Sequence, residues 1–452
     1  MRKDLTQGGV TRTILITAWP MVLALLLHSA FNIVDAIYVG RISAEAIAAV
    51  SLAWPIMFFI FAIGGGIGVG AASLISRYIG AKKVEKADNV AEHALLIGGV
   101  LGVVFTFLGL VFGRGLLLVM GADSLVSLSL SYLNVIFIGA IFTMIFIIGN
   151  NIIRGEGDTK TSMIFISIAT VANIILDPIF IFVLGMGVKG AAIATVISNF
   201  IGCVAVVYGF VMGKSSIRIR PKHFRFDFSI VKKIFQIGVP SSLSQVSMSI
   251  SLFVMMRIVS YFGAYAIAAF GIVSRLDGIA VLPALGLMSA IIPIVGQNVG
   301  AKKFDRAEKT AYKTATMAAI FTGIVGVIFF AFPSMFISIF NTNPEVVRYG
   351  SMYLRIVPLV YAFIGIGISI GGAFLGAGDP IPALITTLLR VIVIVIPVAL
   401  LLAFVFDLGL LGVWIAFAIS ILVSGSVSLL WFRTGRWKKH HLEKEEIPAV
   451  VG

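Results

Sequence analysis

The chain repeats itself once, and this repeat limits the possible folds more than any other feature of its 452 residues. The matching segments lie about 220 residues apart: Pro20 and Pro240, residues 46–49 and 266–269, residues 80–83 and 300–303, residues 155–158 and 376–379, and residues 187–190 and 409–412. A unit of this length is far longer than a solenoid repeat. It predicts two similar bundles with a substrate path between them.

The composition places these bundles in a membrane. Apolar residues make up 59% of the chain, charged residues only 12%, and the mean hydropathy is +1.09. A soluble domain is about one quarter charged. We therefore predict an all-α polytopic membrane protein of about twelve transmembrane helices, each able to cross about 30 Å of hydrocarbon. The predicted spans are residues 12–38, 53–77, 91–113, 125–152, 162–184, 190–212, 231–260, 266–296, 312–338, 347–374, 382–405 and 411–432.

Basic residues give the chain a net charge of +14, and their positions predict its topology. They concentrate at alternate ends of the spans, on the side that holds the N-terminus, which is the positive-inside pattern. This favours cytoplasmic termini and contact with anionic lipid over nucleic-acid binding. Six spans per half make the two repeats parallel. The predicted domains are a first six-helix lobe at 1–213, a cytoplasmic linker at 214–229, a second six-helix lobe at 230–435 and a cytoplasmic tail at 436–452.

Motifs for enzymatic chemistry are missing from the sequence. The segment 155–161 is the nearest match to a phosphate-binding loop, but it lacks the glycine before Lys160 and fits a turn between helices. The glycine run at 64–70 lies within a predicted span, where small residues let helices approach closely. Cys203 is the only cysteine, and no zinc-type spacing occurs. We expect no enzyme and no cofactor, and an ion gradient as the energy source for any transport.

Three predicted spans of the first half carry polar side chains spaced three or four residues apart, so each set shares one helix face. The sets are His28, Asn32 and Asp35; Thr170, Asn173 and Asp177; and Thr195, Ser198 and Asn199. The second half replaces Asp35 with Met255 and Asp177 with Ala399. Charged groups at membrane depth are costly and indicate function. We predict that the three faces meet in one buried polar cavity of the first lobe.

The two carboxylates indicate a cation site. Hydrogen bonding between helices is the alternative role, but Asn or Ser would fill it at a lower desolvation cost. Carboxylate, amide and hydroxyl oxygens are ligands of hard cations, and two neighbouring carboxylates can share one proton. Sodium and proton both fit the site. Pro178 is a predicted hinge, because a proline within a helix leaves the carbonyl four residues earlier, that of Ile174, without its donor.

The second half carries a different set of charges. Asp277, Arg275 and Arg390 are candidates for ion pairs or for substrate contact. Arg275 and Asp277 are two residues apart and do not face each other on a helix, so we expect the partner of Asp277 to lie on another helix.

Several segments resemble signatures of the multidrug and toxic compound extrusion (MATE) family, prokaryotic DinF-like branch, over roughly residues 10–435. They are Trp19-Pro20, Asn32-Ile-Val-Asp35, Gly80-Ala-Lys-Lys83 with its repeat, Arg154-Gly-Glu-Gly-Asp158 and Asn173-Ile-Ile-Leu-Asp177-Pro178. The resemblance implies two lobes around a V-shaped cleft, alternating access, and export of organic cations in exchange for sodium or protons. Asp35, Asn173, Asp177 and Thr195 match the cation site of that branch.

The resemblance leads to a complete expectation for function. A coupling cation neutralises Asp35 and Asp177 and reshapes the first span at its hinge, Pro20, which weakens drug binding. His28, Asn32, Thr170, Ser198 and Asn199 form the accompanying proton or polar relay. We expect a monomer in the cell inner or plasma membrane that binds small organic cations, Na⁺ or H⁺ and lipid, and no nucleic acid. The alternative is a lipid-linked oligosaccharide flippase, which would need basic residues such as Arg275 and Arg390 in its cleft.

Overall fold

The computed structural model describes residues 4–119, 125–212, 215, 217–219 and 224–438. These residues form sixteen α-helices, with short π and 3-10 segments and no β-strand between them. The helices are α1 Val10–Gly40, α2 Ala44–Gly80, α3 Val84–Val119, α4 Val126–Ile138, α5 Ala140–Gly155, α6 Thr159–Pro178, α7 Gly187–Val211, α8 Phe228–Ser260, α9 Ala264–Gly300, α10 Phe304–Ala331, α11 Pro333–Ser338, α12 Pro344–Leu354, α13 Tyr361–Ala377, α14 Ile381–Leu388, α15 Val395–Leu400 and α16 Gly409–Arg433.

The described helices are sufficient for a polytopic membrane protein. Eleven helical segments are long and apolar enough to cross a membrane, and the bent pair α4–α5, with an angle of 54°, raises the number to twelve when it is taken as one span. Helices satisfy their own backbone hydrogen bonds, which hydrocarbon cannot do for them. The predicted all-α membrane class is therefore confirmed.

The sequence repeat reappears in the backbone. Lys82 and Lys302, which follow α2 and α9, both adopt the left-handed conformation with φ of 59°. The N–H of Lys83 then donates to the carbonyl of Tyr78 at 2.9 Å, and the N–H of Lys303 donates to that of Asn298 at 2.8 Å. A left-handed residue followed by such a bond is a common way to end a helix. The repeated Gly-Ala-Lys-Lys segments therefore build the same turn twice.

The chain forms two compact units that exchange parts of two helices. The first unit contains Trp19–Ser242, and the second contains Thr6–Ala18 and the chain from Leu243 onward. The boundary between the two units therefore crosses α1 beside Pro20 and α8 just after Pro240. Both helices continue through these repeat-related prolines. The assignment of functional lobes to 1–213 and 230–435 stays a prediction.

Hydrogen bonds fix the N-terminal segment to the second unit. The Lys303 ammonium donates to the carbonyl of Thr6 at 3.0 Å, and the Arg306 guanidinium donates to the carbonyls of Gln7 and Gly8 at 2.7 and 2.8 Å. Lysine and arginine side chains supply several donors each, so they satisfy carbonyls that precede the first turn of α1.

The expected linker packs against the first unit where it is described. The Glu156 carboxylate accepts hydrogen bonds from the Ser215 hydroxyl at 2.9 Å and from the Ile217 N–H at 3.2 Å. Further along, Nε2 of His93 accepts the N–H of Asp227 at 2.8 Å. Positions 214, 216 and 220–223 of the linker and positions 439–452 of the tail lie outside the described residues.

The glycine run in α2 serves helix packing, as predicted. A Cβ placed on Gly70 would lie 2.5 Å from the Ile234 carbonyl oxygen and 3.0 Å from the Gly238 nitrogen, both on α8. A Cβ on Gly66 would lie 2.5 Å from the Ser242 nitrogen. Only glycine permits α2 and α8 to contact each other backbone to backbone.

Replacing Gly70 with alanine should therefore destabilise the first unit. We expect Gly70→Ala to cost about 1–3 kcal/mol, because overpacking forces two backbones apart. Gly99→Ala on α3 is the matched control, since a Cβ there meets nothing within 4 Å. The measurement is the melting temperature in detergent. Equal melting temperatures for Gly70→Ala and the native protein would contradict the packing argument.

Candidate cation site

Asp177 is the centre of the polar site in the first unit. Its side chain is completely buried near the end of α6, and Asn173, one turn earlier, donates from Nδ2 to its Oδ1 at 3.0 Å. The second oxygen, Oδ2, is also buried and accepts no hydrogen bond from an N–H or hydroxyl group of a described residue. A buried carboxylate oxygen without a donor is costly. The site is therefore suited to a bound proton or cation.

Asp35 brings a second carboxyl group to this point. It is half-buried on α1, and its carboxyl lies close enough to that of Asp177 for a side-chain hydrogen bond. Two ionised carboxylates cannot donate to each other, so such a bond needs a proton on one of them. The structure therefore brings Asp35 and Asn173 each to Asp177, and their role as a cation site stays a prediction.

Tyr132 is a site residue that the sequence analysis missed. It is buried on α4, and its phenol interacts electrostatically with both Asp35 and Asp177. Of the positions three or four residues from it, only Ser129 is polar, so no set of three polar residues with helical spacing includes the tyrosine. A signal does exist in hindsight, because the dipeptide Tyr132-Leu133 recurs as Tyr353-Leu354 in the second repeat.

The polar face of α7 borders a separate small cavity. Thr195 and Asn199 line it together with Thr143 of α5, and the Asn199 side chain donates from Nδ2 to the Thr143 hydroxyl at 3.0 Å. The cavity has a volume of about 10 Å³, which is enough for about one water molecule. The lining includes neither aspartate. Contact of Thr195 with the carboxylates stays a prediction.

The remaining relay candidates differ in burial. Thr170 and Ser198 are buried, and the Ser198 hydroxyl donates to the Ala194 carbonyl at 2.6 Å. His28 and Asn32 are exposed on α1, with the His28 ring tilted against Phe31 at 6.0 Å. Within the described residues, no hydrogen bond connects these four side chains to Asp35 or Asp177. Their relay role stays a prediction.

The second unit has its own carboxylate centre, built from residues that the sequence analysis did not connect. Asp277 on α9 accepts hydrogen bonds from the hydroxyls of Tyr353, on α12, and Tyr361, on α13. Both tyrosines are buried. The expected partner on another helix is thus present, and it consists of two phenols. Buried tyrosine hydroxyls require such acceptors.

Neither candidate arginine pairs with Asp277. Arg275 is exposed on α9, and Arg390 is half-buried in the π segment Leu389–Ile394. In the part of the chain that the structure describes, no ion pair joins either arginine to the carboxylate. A role of these three residues in ion pairing or in substrate contact stays a prediction.

Removing this carboxylate should destabilise the second unit. Asp277→Leu leaves two buried hydroxyls without an acceptor, each at a cost of about 1–3 kcal/mol. Asp277→Asn keeps a carbonyl oxygen as an acceptor and should cost less. Arg275→Gln, at an exposed neighbouring position, is the control with an unchanged melting temperature. If Asp277→Leu and Arg275→Gln had the same melting temperature, the hydrogen bonds from the two phenols to this carboxylate would not stabilise the second unit.

The chain matches a family model and several known proteins. The model, MatE, matches residues 20–179 and 240–401, once in each repeat. The probable multidrug resistance protein YpnP of Bacillus subtilis is 27% identical over 446 residues, covering 98% of this chain and 99% of that protein. The multidrug export protein MepA of Staphylococcus aureus is 28% identical over 414 residues, covering 91% and 90%.

A solved structure gives the same assignment. An outward-facing multidrug resistance transporter of the MATE family superposes with a TM-score of 0.91 at 31% identity, covering 96% of this chain and 98% of that chain. The family model spans most of both repeats, and the solved structure spans nearly the whole fold. The chain therefore belongs to the MATE family of membrane transporters, as its motifs predict.

Proposed function

We propose that this protein is a secondary active antiporter that exports drugs and other organic cations in exchange for an inward-moving cation. The observation that carries the proposal is the buried Asp177 carboxylate, which Asn173 holds at 3.0 Å and which Asp35 approaches from another helix. The relatives YpnP and MepA are named for multidrug resistance and multidrug export. Both share nearly their whole length with this chain.

The coupling ion in this proposal is a proton, and sodium is the alternative. A hydrogen bond between two carboxyl groups requires a proton, which supports the first ion. Asn173 also directs its NH₂ group toward Asp177. This group donates a hydrogen bond to a carboxylate but cannot serve as a ligand of a metal cation. A sodium ion would instead require oxygen ligands from Asp35, Asp177 and the reoriented amide of Asn173.

Exchange follows from competition for negative charge. When both carboxylates are ionised, they attract an organic cation and repel each other strongly, because the dielectric constant around them is low. A proton on one carboxyl removes that attraction and draws Asp35 of α1 toward Asp177 of α6. An ion shifts a conformational equilibrium only by its different affinity for the two states. Because both compact units contain part of α1, with the change at Pro20, α1 is the proposed moving element.

The flippase alternative lacks support in these residues. A pyrophosphate group would need converging basic side chains, whereas Arg275 is exposed and Arg390 half-buried, and the buried charged group of the polar site is the carboxylate Asp177. In the proposal the protein is a monomer of the plasma membrane with both termini in the cytoplasm. The positive-inside distribution supports that orientation.

The test is transport in vesicles. Purified protein is reconstituted with a fluorescent organic cation, and a proton gradient and a sodium gradient are imposed separately. We expect the proton gradient to drive dye movement, and Asp35→Asn and Asp177→Asn each to reduce it to the level of protein-free vesicles, since an amide cannot carry the exchanged charge.

Asp305→Asn, at an exposed position in the first turn of α10, is the matched control that keeps native transport. Melting temperatures of all three variants exclude unfolding as the cause. If the sodium gradient alone drove dye movement, the coupling ion would be sodium and not a proton. Native rates in both site variants would overturn the role of the two carboxylates.

A further inference from the structure

A groove of about 700 Å³ lies within the second unit, away from the carboxylate centres. Its lining includes Tyr312, Thr316 and Ala319 of α10, Ala362 and Ile366 of α13, and Arg433 of α16. The volume is within the range of about 300–1,000 Å³ that is typical of ligand sites. The lining is mostly apolar, so the occupant must be mostly apolar as well.

The groove results from residues in which the two repeats differ. Ala315 and Thr316 occupy the places of Leu95 and Leu96 in the first repeat, 220 residues earlier. Near the chain's end the repeat spacing is 222, so Arg433 stands where the first repeat has valine. Shorter side chains on α10 open space beside α13, and the arginine adds a charge. The second repeat alone thus combines space with a cation at this place.

The charge at the groove's end is available to an anion. Arg433 is exposed in the last turn of α16 and forms no ion pair with a described residue. Its neighbour Lys438, in contrast, is neutralised by Glu308 at 2.5 Å. The Tyr312 phenol interacts electrostatically with all three of these charged groups. A guanidinium with free donors binds phosphate in a bidentate manner.

We propose that this groove binds one anionic phospholipid of the cytoplasmic leaflet, with its phosphate on Arg433 and an acyl chain along Ala319, Ala362 and Ile366. The leaflet follows from the cytoplasmic C-terminus of the proposed function. An acyl chain leaving the bilayer for this groove exchanges one hydrocarbon surroundings for another, so selectivity must come from the headgroup. Basic pockets between transmembrane helices on that side recognise anionic headgroups.

The tyrosine supports this placement of the headgroup. Tyr312 is half-buried and lies edge-on to Phe432 at 5.7 Å, with its hydroxyl near Arg433. Tyrosine is enriched where hydrocarbon meets headgroups, because its ring is apolar and its hydroxyl polar. Tyr312 and Arg433 therefore mark the headgroup level, and the alanines beyond them mark the level of the chain.

The experiment measures lipid binding by native mass spectrometry of the delipidated full-length protein. Phosphatidylglycerol and phosphatidylcholine with identical acyl chains are added in parallel. We expect the native protein to retain one phosphatidylglycerol in preference to phosphatidylcholine, and Arg433→Gln to lose that preference, by about tenfold in affinity. Arg436→Gln, at an exposed arginine beyond the groove, should keep it.

A second variant tests the groove itself. Thr316→Leu introduces the side chain that the first repeat carries at Leu96, and Ala319→Leu adds a second large side chain. The double variant fills the groove and should lower retention of both lipids while Arg433 remains. Equal loss in Arg433→Gln and Arg436→Gln would reduce the effect to general surface charge and overturn the site. Displacement of the lipid by soluble glycerol phosphate at equal concentration, or by a fluorescent organic cation, would also overturn it. None of these readings needs transport, so failure here leaves the antiport proposal untouched.

Discussion

The absence of water inside the bilayer is the constraint from which the structure follows. Every backbone N–H and C=O at that depth must find a partner within the chain, so the described spans are helical. Prolines, which remove a donor, are accommodated within helical backbone: α1 continues through Pro20, and α6 ends at Pro178 but passes directly into a π segment, Ile179–Val183. Polar side chains obey the same constraint. Asp277 accepts from two phenols, whereas Oδ2 of Asp177 accepts no N–H or hydroxyl from a described residue. In the proposed function this difference separates a stabilising centre from a site that takes up an ion.

The two repeats share a scaffold and differ in chemistry. Tyr132 and Tyr353 occupy matching places, and each interacts with carboxyl groups in its own unit, yet these carboxyl groups come from different helices. In the first unit they lie on α1 and α6, where the second repeat has Met255 and Ala399. In the second unit the carboxylate lies on α9, where the first repeat has Met57 at the same spacing.

The sequence was sufficient to predict the spans and the polar faces of the helices. It was not sufficient to predict which residues lie at the same level along the helix axes. Hydropathy was enough to predict the spans, and the loss of Asp35 and Asp177 in the second repeat was enough to predict the acidic pair. His28 shares the face of Asp35 by period, but seven residues of helix separate them by about 10 Å along the axis, so a common face does not mean a common site. Asn199 meets Thr143 across 56 positions of chain, and the tyrosines meet Asp277 across 76 and 84. Such contacts between helices carry no local period.

Helices α1 and α8 each belong partly to one compact unit and partly to the other, and this division has a consequence for biosynthesis. Residues 6–18 are made first, but the partners that hold them, Lys303 and Arg306, are made almost three hundred residues later. The second unit therefore cannot be completed from the second half of the chain alone, and the first end of α1 must wait in the membrane for it.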